Sequence, residues 1–246
     1  MGYTTFLGAL ALAPALSLAA PTASQLTVRA STGYYTGQIN SNFTNVREFL
    51  DVPYGVTTSG ANRFMPPIAV PLSSKHYNST AYPPACPQYV TAVKNIWNQQ
   101  IPQYLQYWGN SNNSAGESAV FTSEDCLKLA IWTPANATSA SNLPVALFWT
   151  GGGFQTNGIL VPGQLPPGWV EKSQSHIVVT INYRMNIMGF PNAAGVSEQN
   201  LGLMDQRVSL EWVRDNIRYF GGKCFGGFFD GQLVADDGSQ VTRRRS

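Results

Sequence analysis

Two stretches of the chain are apolar over about the length of one strand each, "LPVALFW" (143–149) and "HIVVTINY" (176–183). Such runs, rich in β-branched and aromatic residues and without polar alternation, suit strands covered on both faces, as in the parallel sheets of α/β folds. The segment 163–174 between them serves as the crossover that parallel strands need. "LKLAIW" (127–132) alternates and predicts a further strand, while "LTVRA", "YYTGQI" and "VREFL" near the start are short β-like pieces separated by turn residues. From Leu201 to Phe220 the period changes. Leu203, Leu210, Val213, Ile217 and Phe220 recur at steps of seven, three, four and three, which sets them on one helix face, and Asp205, Arg207, Arg214, Asp215 and Arg218 fall mostly elsewhere. Gly221 and Gly222 then stop the helix. Residues 52–72 are rich in Pro and Gly and read as irregular. Residues 77–122 are polar with many aromatics, and the last 24 residues lack sustained periodicity.

Composition adds an address. Charged residues make up only 11% of the 246 residues, less than half the usual share of roughly 25%. Of the 15 basic residues three are Arg243, Arg244 and Arg245, so the remaining body carries 12 basic against 13 acidic side chains. A near-neutral body gives no footprint for nucleic acid, and the Arg triplet reads as a solvated end. The start, "MGYTTFLGALALAPALSLAAPTAS", has no charged side chain before Arg29. Its apolar run is short, broken by Pro14 and closed by small residues, which predicts a secretory signal peptide over 1–20 rather than a membrane span. Asn42, Asn78, Asn112 and Asn136 each open an Asn-x-Ser/Thr triplet in a loop-like stretch, as N-glycosylation requires. The chain is therefore expected to be secreted. In that oxidising compartment two of Cys86, Cys126 and Cys224 should pair, the alternative being three buried thiols. Pairing Cys86 with Cys126 would close a loop worth about 4 kcal/mol in the chain-entropy picture.

The candidate chemistry lies after the first apolar run, in "VALFWTGGGFQTNG" (145–158). Three glycines behind a strand offer successive N–H groups that no side chain shields, which suits the stabilisation of an oxyanion during acyl transfer; they also suit a tight turn.

Several segments in order carry a resemblance to the type-B carboxylesterases, the esterases, lipases and cholinesterases of the α/β-hydrolase fold. They are "VREFLDVPYG" with "NRFMPP", "SEDCLKLAIWTP", "LPVALFWTGGGF", "VVTINYRMNIMGFPNAAG" and "QNLGLMDQRVSLEWVRDNIRYFGG", together spanning about 26–222. The resemblance implies an α/β class, namely the N-terminal half of an α/β-hydrolase domain over 21–222, with 223–246 an unrelated, disordered tail. It implies hydrolysis of small carboxylic esters by a Ser–His–acid mechanism, without metal or cofactor. It makes Gly152 and Gly153 oxyanion donors with Gly151 shaping the turn, pairs Cys86 with Cys126, and makes Glu124 and Arg184 a structural ion pair. The aromatic-rich loop between the cysteines lines the active-site gorge in relatives, which makes Trp97, Tyr104 or Trp108 a candidate substrate contact, core packing or surface cover being an equal alternative for each.

The departures are informative. Thr150 stands where the family has His or Tyr. In relatives the helix ending "FGG" leads to a strand and a G-x-S-x-G elbow; here Gly222 is followed by "KCFGGFFDG", and the chain contains no G-x-S-x-G. Gly116 and Ser118 give an incomplete version placed before the central strands. His76 and His176 are the only histidines and both precede the elbow's place, so neither suits the catalytic base. The expectation is a chain that is catalytically incompetent as it stands, with a non-catalytic secreted binding or adhesion module as the alternative.

Overall fold

The computed structural model describes residues 26–88, 122–160 and 166–223, with the backbone alone of the short strands at 228–229 and 232–233. The signal peptide expected over 1–20, and Trp97, Tyr104, Trp108, Asn112, Gly116, Ser118, Cys224 and the terminal arginines, lie outside the described residues.

The chain begins with short strands β1 (Thr27–Ala30), β2 (Gly33–Thr36) and β3 (Gln38–Ile39), then the longer β4 (Val46–Pro53) and β5 (His76–Asn78). β6 (Lys128–Pro134), β7 (Leu143–Trp149), helix α1 (Pro167–Ser173), β8 (Ile177–Ile181), the short helix α2 (Asn186–Gly189) and the long helix α3 (Leu201–Asn216) follow. A 3-10 turn (Ile217–Phe220) leads into β9 (Gly222–Lys223). β1, β2 and β5 form one small sheet. The main sheet has the order β3-β4-β6-β8-β7-β9. β4, β6 and β8 pair antiparallel, whereas β7 pairs parallel with both β8 and β9. β10 (Phe228–Phe229) and β11 (Gln232–Leu233) pair antiparallel within the segment expected to be a tail.

β8 is the centre of this sheet. Ile177, Val178, Val179 and Ile181 are all at most 3% exposed, and burying such side chains contributes about 1.5–3 kcal/mol each. One core joins β8 to Phe49, Leu129, Ile131, Trp212, Val213 and Phe220. A second, smaller one packs Val46, Ala130, Trp132, Val170 and Val178 under α1. β7 differs from the expectation of burial on both faces: it is only partly covered, and Phe148 is exposed. Among the described residues its edge opposite β8 is paired only at Leu143 and Pro144, so the rest of the strand has one sheet neighbour.

The buried face of α3 also differs. It carries Leu201, Gly202, Asp205, Ser209, Trp212, Val213 and Asn216, while Leu203 is 46% exposed. Leu203 therefore leaves the stripe and Asp205 joins it, because the helix is oriented by an ion pair as well as by apolar contact. Of the glycosylation candidates, Asn42, Asn78 and Asn136 are exposed. Asn78 ends strand β5 rather than lying in a loop. No helix among the described residues is long and apolar enough to cross a membrane.

His176 precedes β8, shares a 2.8 Å hydrogen bond through Nδ1 with Ser173 Oγ, and packs on Trp169 with ring centroids 4.1 Å apart. Burial holds the imidazole below its usual value near 6.5. The unfolded chain then binds more protons than the folded one between the two values, so this contribution is fully present above about pH 6.5 and is lost as pH falls through the folded value. The melting temperature is expected to fall more steeply as pH drops below about 6.5 in the unaltered protein than in His176→Gln; parallel slopes in thermal scans would refute this.

Candidate functional site

The glycine loop leaves the C-terminal end of β7, at the end of the parallel pair where α/β sheets place their ligand sites. The parallel register sets Val145 against Ile177 and Trp149 against Ile181. His176 therefore lies at the opposite end of the sheet from the glycines. His76 stacks on Tyr34, 4.5 Å between centroids, in the small sheet. The structure brings neither histidine into the loop.

Gly151, Gly152 and Gly153 are exposed. Gly152 adopts φ 129° and Gly153 φ 62°. A Cβ at Gly152 would collide with the Thr156 carbonyl oxygen, so this position excludes side chains both by conformation and by space. Gly151 is different: its φ is ordinary and, among the described residues, nothing lies within 4 Å of a Cβ there. Among the described residues the N–H groups of Gly152 and Gly153 have no acceptor, whereas the Gly152 carbonyl accepts from the Gln155 N–H at 3.1 Å. Two adjacent N–H groups of exposed residues, free of acceptors among the described residues and on a fixed turn, can bind a developing oxyanion.

Neutral side chains fix this turn at both ends. Tyr183, whose phenol is pushed up by burial, donates to the Thr150 carbonyl at 3.1 Å. Thr150 itself is buried. Asn182 Oδ1 accepts from the Ile159 N–H at 2.8 Å, and its amide donates to the Pro84 carbonyl at 3.0 Å. Asn157, in a left-handed conformation, donates through Nδ2 to the Gly151 carbonyl at 2.9 Å. Gln88 bonds to Thr156 and to the backbone of Asn157. The Asn186 N–H donates to the Phe154 carbonyl at 2.6 Å, and the Phe154 ring packs on Phe190 at 4.8 Å. None of Gln88, Asn157, Asn182 and Tyr183 was singled out by sequence pattern. An Asn two residues after a Gly-Gly-Gly-Phe-Gln run was the only signal available for any of them, since Asn tolerates φ > 0.

Cys86 and Cys126 form a disulfide, with S–S 1.98 Å and Cα atoms 5.0 Å apart. The expected Glu124–Arg184 pair is not formed. Glu124 instead accepts two bonds from Arg63, Nε to Oε1 at 2.7 Å and Nη2 to Oε2 at 2.6 Å, at the surface. Arg184 is 1% exposed and needs a carboxylate within the same buried plane. Asp205 on α3 supplies it: Nε donates to Oδ2 at 2.8 Å, Nη2 to Oδ1 at 2.7 Å, and the Arg184 backbone N–H to Oδ2 at 2.9 Å. Arg184 Nη1 donates to the Met65 carbonyl at 2.8 Å. Residues 63–65 thus bridge the two pairs. Burial pushes the Asp205 carboxyl up, and the Arg184 bonds pull against that shift. Among the described residues no three His, Cys, Asp or Glu side chains are grouped to hold a metal ion.

A mixed sheet with its glycine turn at the carboxyl end of a parallel strand, backed by α3, defines part of an α/β-hydrolase domain. A sequence model of the carboxylesterase family matches residues 24–224, and the chain belongs to that family. It is 35% identical over 236 residues to secreted lipase 5 of Gibberella zeae, covering 87% of this chain and 42% of the relative. It is 38% identical over 200 residues to chlorogenic acid esterase of Aspergillus niger, covering 80% of this chain and 36% of that protein. The crystal structure of Aspergillus niger EstA superposes with a TM-score of 0.61 at 28% identity, covering 80% of this chain and 33% of that one. The chain thus spans about two fifths or less of the length of these relatives.

Replacing Asp205 by Ala strands the buried Arg184 charge, which costs about 3–5 kcal/mol. Urea unfolding of Asp205→Ala is expected to show a loss of that order, with much of it recovered in the double variant Asp205→Ala, Arg184→Met. A double variant no more stable than the single one would contradict this.

Proposed function

We propose that this chain carries the oxyanion-loop portion of a secreted carboxylic-ester hydrolase, with the N–H groups of Gly152 and Gly153 as oxyanion donors, and that the 246 residues alone turn over no ester. The observation that carries the reading is the pair of N–H groups of the exposed Gly152 and Gly153, without acceptors among the described residues, at the carboxyl end of β7. Family membership and relatives named as a lipase and an esterase support the acyl-transfer chemistry. Negative charge develops on the carbonyl oxygen as a nucleophile adds, and a pre-set pair of donors lowers that barrier without reorganising. Removing one such donor typically costs about 10²–10³ in kcat. The inactivity rests on the nucleophile and the His: the sequence holds no G-x-S-x-G, and neither of its two histidines lies at the glycine loop.

Secretion and N-glycosylation at Asn42, Asn78, Asn112 and Asn136 belong to the same reading. The exposure of Asn42, Asn78 and Asn136 and relatives named as secreted lipases support it.

Two assays test the proposal. The purified 246-residue chain is expected to hydrolyse p-nitrophenyl esters no faster than buffer; turnover abolished by a serine-directed phosphonate would overturn the inactivity. Residues 24–224 grafted in place of the matching part of chlorogenic acid esterase are expected to give an active hybrid. In that hybrid, replacing Gly153 by its α-hydroxy acid, glycolic acid, through semisynthesis turns the one N–H into an ester oxygen without adding a side chain at φ 62°, and lowers kcat about 100-fold or more; an unchanged kcat would remove Gly153 from the donor pair.

A further inference from the structure

Gln88 lies two residues beyond the disulfide cysteine Cys86, and its side-chain amide makes four hydrogen bonds. Oε1 accepts from the Asn157 N–H at 2.8 Å and from Thr156 Oγ1 at 3.0 Å. Nε2 donates to the Asn157 carbonyl at 3.1 Å and to the Cys86 carbonyl at 3.2 Å. The amide thus engages both backbone groups of Asn157, as a neighbouring strand would, and it anchors to the main chain of the disulfide. Asn157 in turn donates through Nδ2 to the Gly151 carbonyl at 2.9 Å, and Thr156 O is the atom that walls off Gly152. A continuous path therefore runs from the disulfide through one amide to the two residues that shape the glycines.

We propose that Gln88 is the positioning residue of the glycine loop, transmitting the placement of the disulfide-bonded Cys86 segment to Gly151–Gly153 through Asn157. This rests on the oxyanion reading only for its catalytic meaning; the clamp itself is a statement about loop order. Ala at 88 removes all four bonds. Glu at 88 keeps two acceptor oxygens when ionised but loses both donors, and regains one donor when protonated. The two replacements thus separate the loss of the clamp from the loss of half of it.

The test is amide hydrogen exchange on the full 246-residue chain with its disulfide intact, read in peptides covering 151–158 and 177–183. Gln88→Ala is expected to exchange at least tenfold faster than the parent over 151–158 and equally over 177–183. Gln88→Glu is expected to exchange faster than the parent in the loop at pH 7.5, with the difference shrinking severalfold near pH 4, where a carboxyl of ordinary pKa gains its proton. Reducing Cys86–Cys126 with a dithiol turns both cysteines to thiols as the reagent closes its own disulfide. That reduction is expected to loosen the loop in the parent and to add little in Gln88→Ala. Unchanged loop exchange in Gln88→Ala, acceleration shared equally by 177–183, or additive effects of reduction and Gln88→Ala would each overturn the proposal. Should Gln88→Ala fail to fold, Gln88→Glu decides, and a variant that tracks the parent at both pH values refutes the clamp. No readout here involves ester turnover, so a failed clamp leaves the hydrolase reading intact and an unexpected esterase leaves the clamp intact.

Discussion

The arrangement of the described core turns on the buried Arg184–Asp205 pair. Arg184 sits three residues beyond β8, and its fork and backbone N–H bind a single carboxylate on α3 while its remaining nitrogen binds the Met65 carbonyl. Gly189 and Gly202 close on the Arg184 carbonyl so tightly that a Cβ at either would collide with it. One residue therefore fixes the exit of the central strand, the start of α3 and the 60–65 segment together. A buried pair of this kind adds little net stability over apolar packing, but it punishes any arrangement that separates its members. The glycine loop benefits directly. Tyr183 and Asn182, the two residues immediately before Arg184, hold Thr150 and Ile159 at either end of the loop.

The same pair explains what could and could not be read from the residues. The strands β6 and β8 and the extent of α3 were legible because apolar period and β-branched composition report directly on burial. The orientation of α3 was not. A helix turned by an ion pair buries Asp205 and exposes Leu203, which a hydrophobic period cannot reveal. Resemblance supplied the positions of Arg184 and Glu124 but matched them to each other, whereas burial divides them: the 1% exposed Arg184 takes the buried carboxylate and Glu124 takes the surface Arg63. The glycine loop was legible as a loop; its supports were not, because Gln88, Asn157, Asn182 and Tyr183 act through single amide and hydroxyl bonds that leave no periodic trace.

The chemistry of these supports suits a site for transient negative charge. Among the described residues the side chains that hold the loop are neutral, so they fix it without a carboxylate that would compete for its N–H groups or a cation that would bind an anion permanently. A turn held by neutral hydrogen bonds keeps its partial positive charge available for a charge that exists only briefly. Arg184 pairs with Asp205 and Arg63 with Glu124, so neither of these charge pairs is among the groups that hold the loop.

The three glycines do not report on activity equally. Gly152 is demanded by its left-handed backbone and by the Thr156 carbonyl, so a lineage that had abandoned ester chemistry would still retain it to fold the turn. Gly151 has ordinary backbone geometry and, among the described residues, open space where a methyl group would go. The bareness of Gly151 is thus of a different kind from that of Gly152, since among the described residues neither backbone conformation nor a neighbouring atom demands it. A methyl group at Gly151 would therefore leave the turn folded and test only what approaches it from outside, whereas one at Gly152 would break the turn itself.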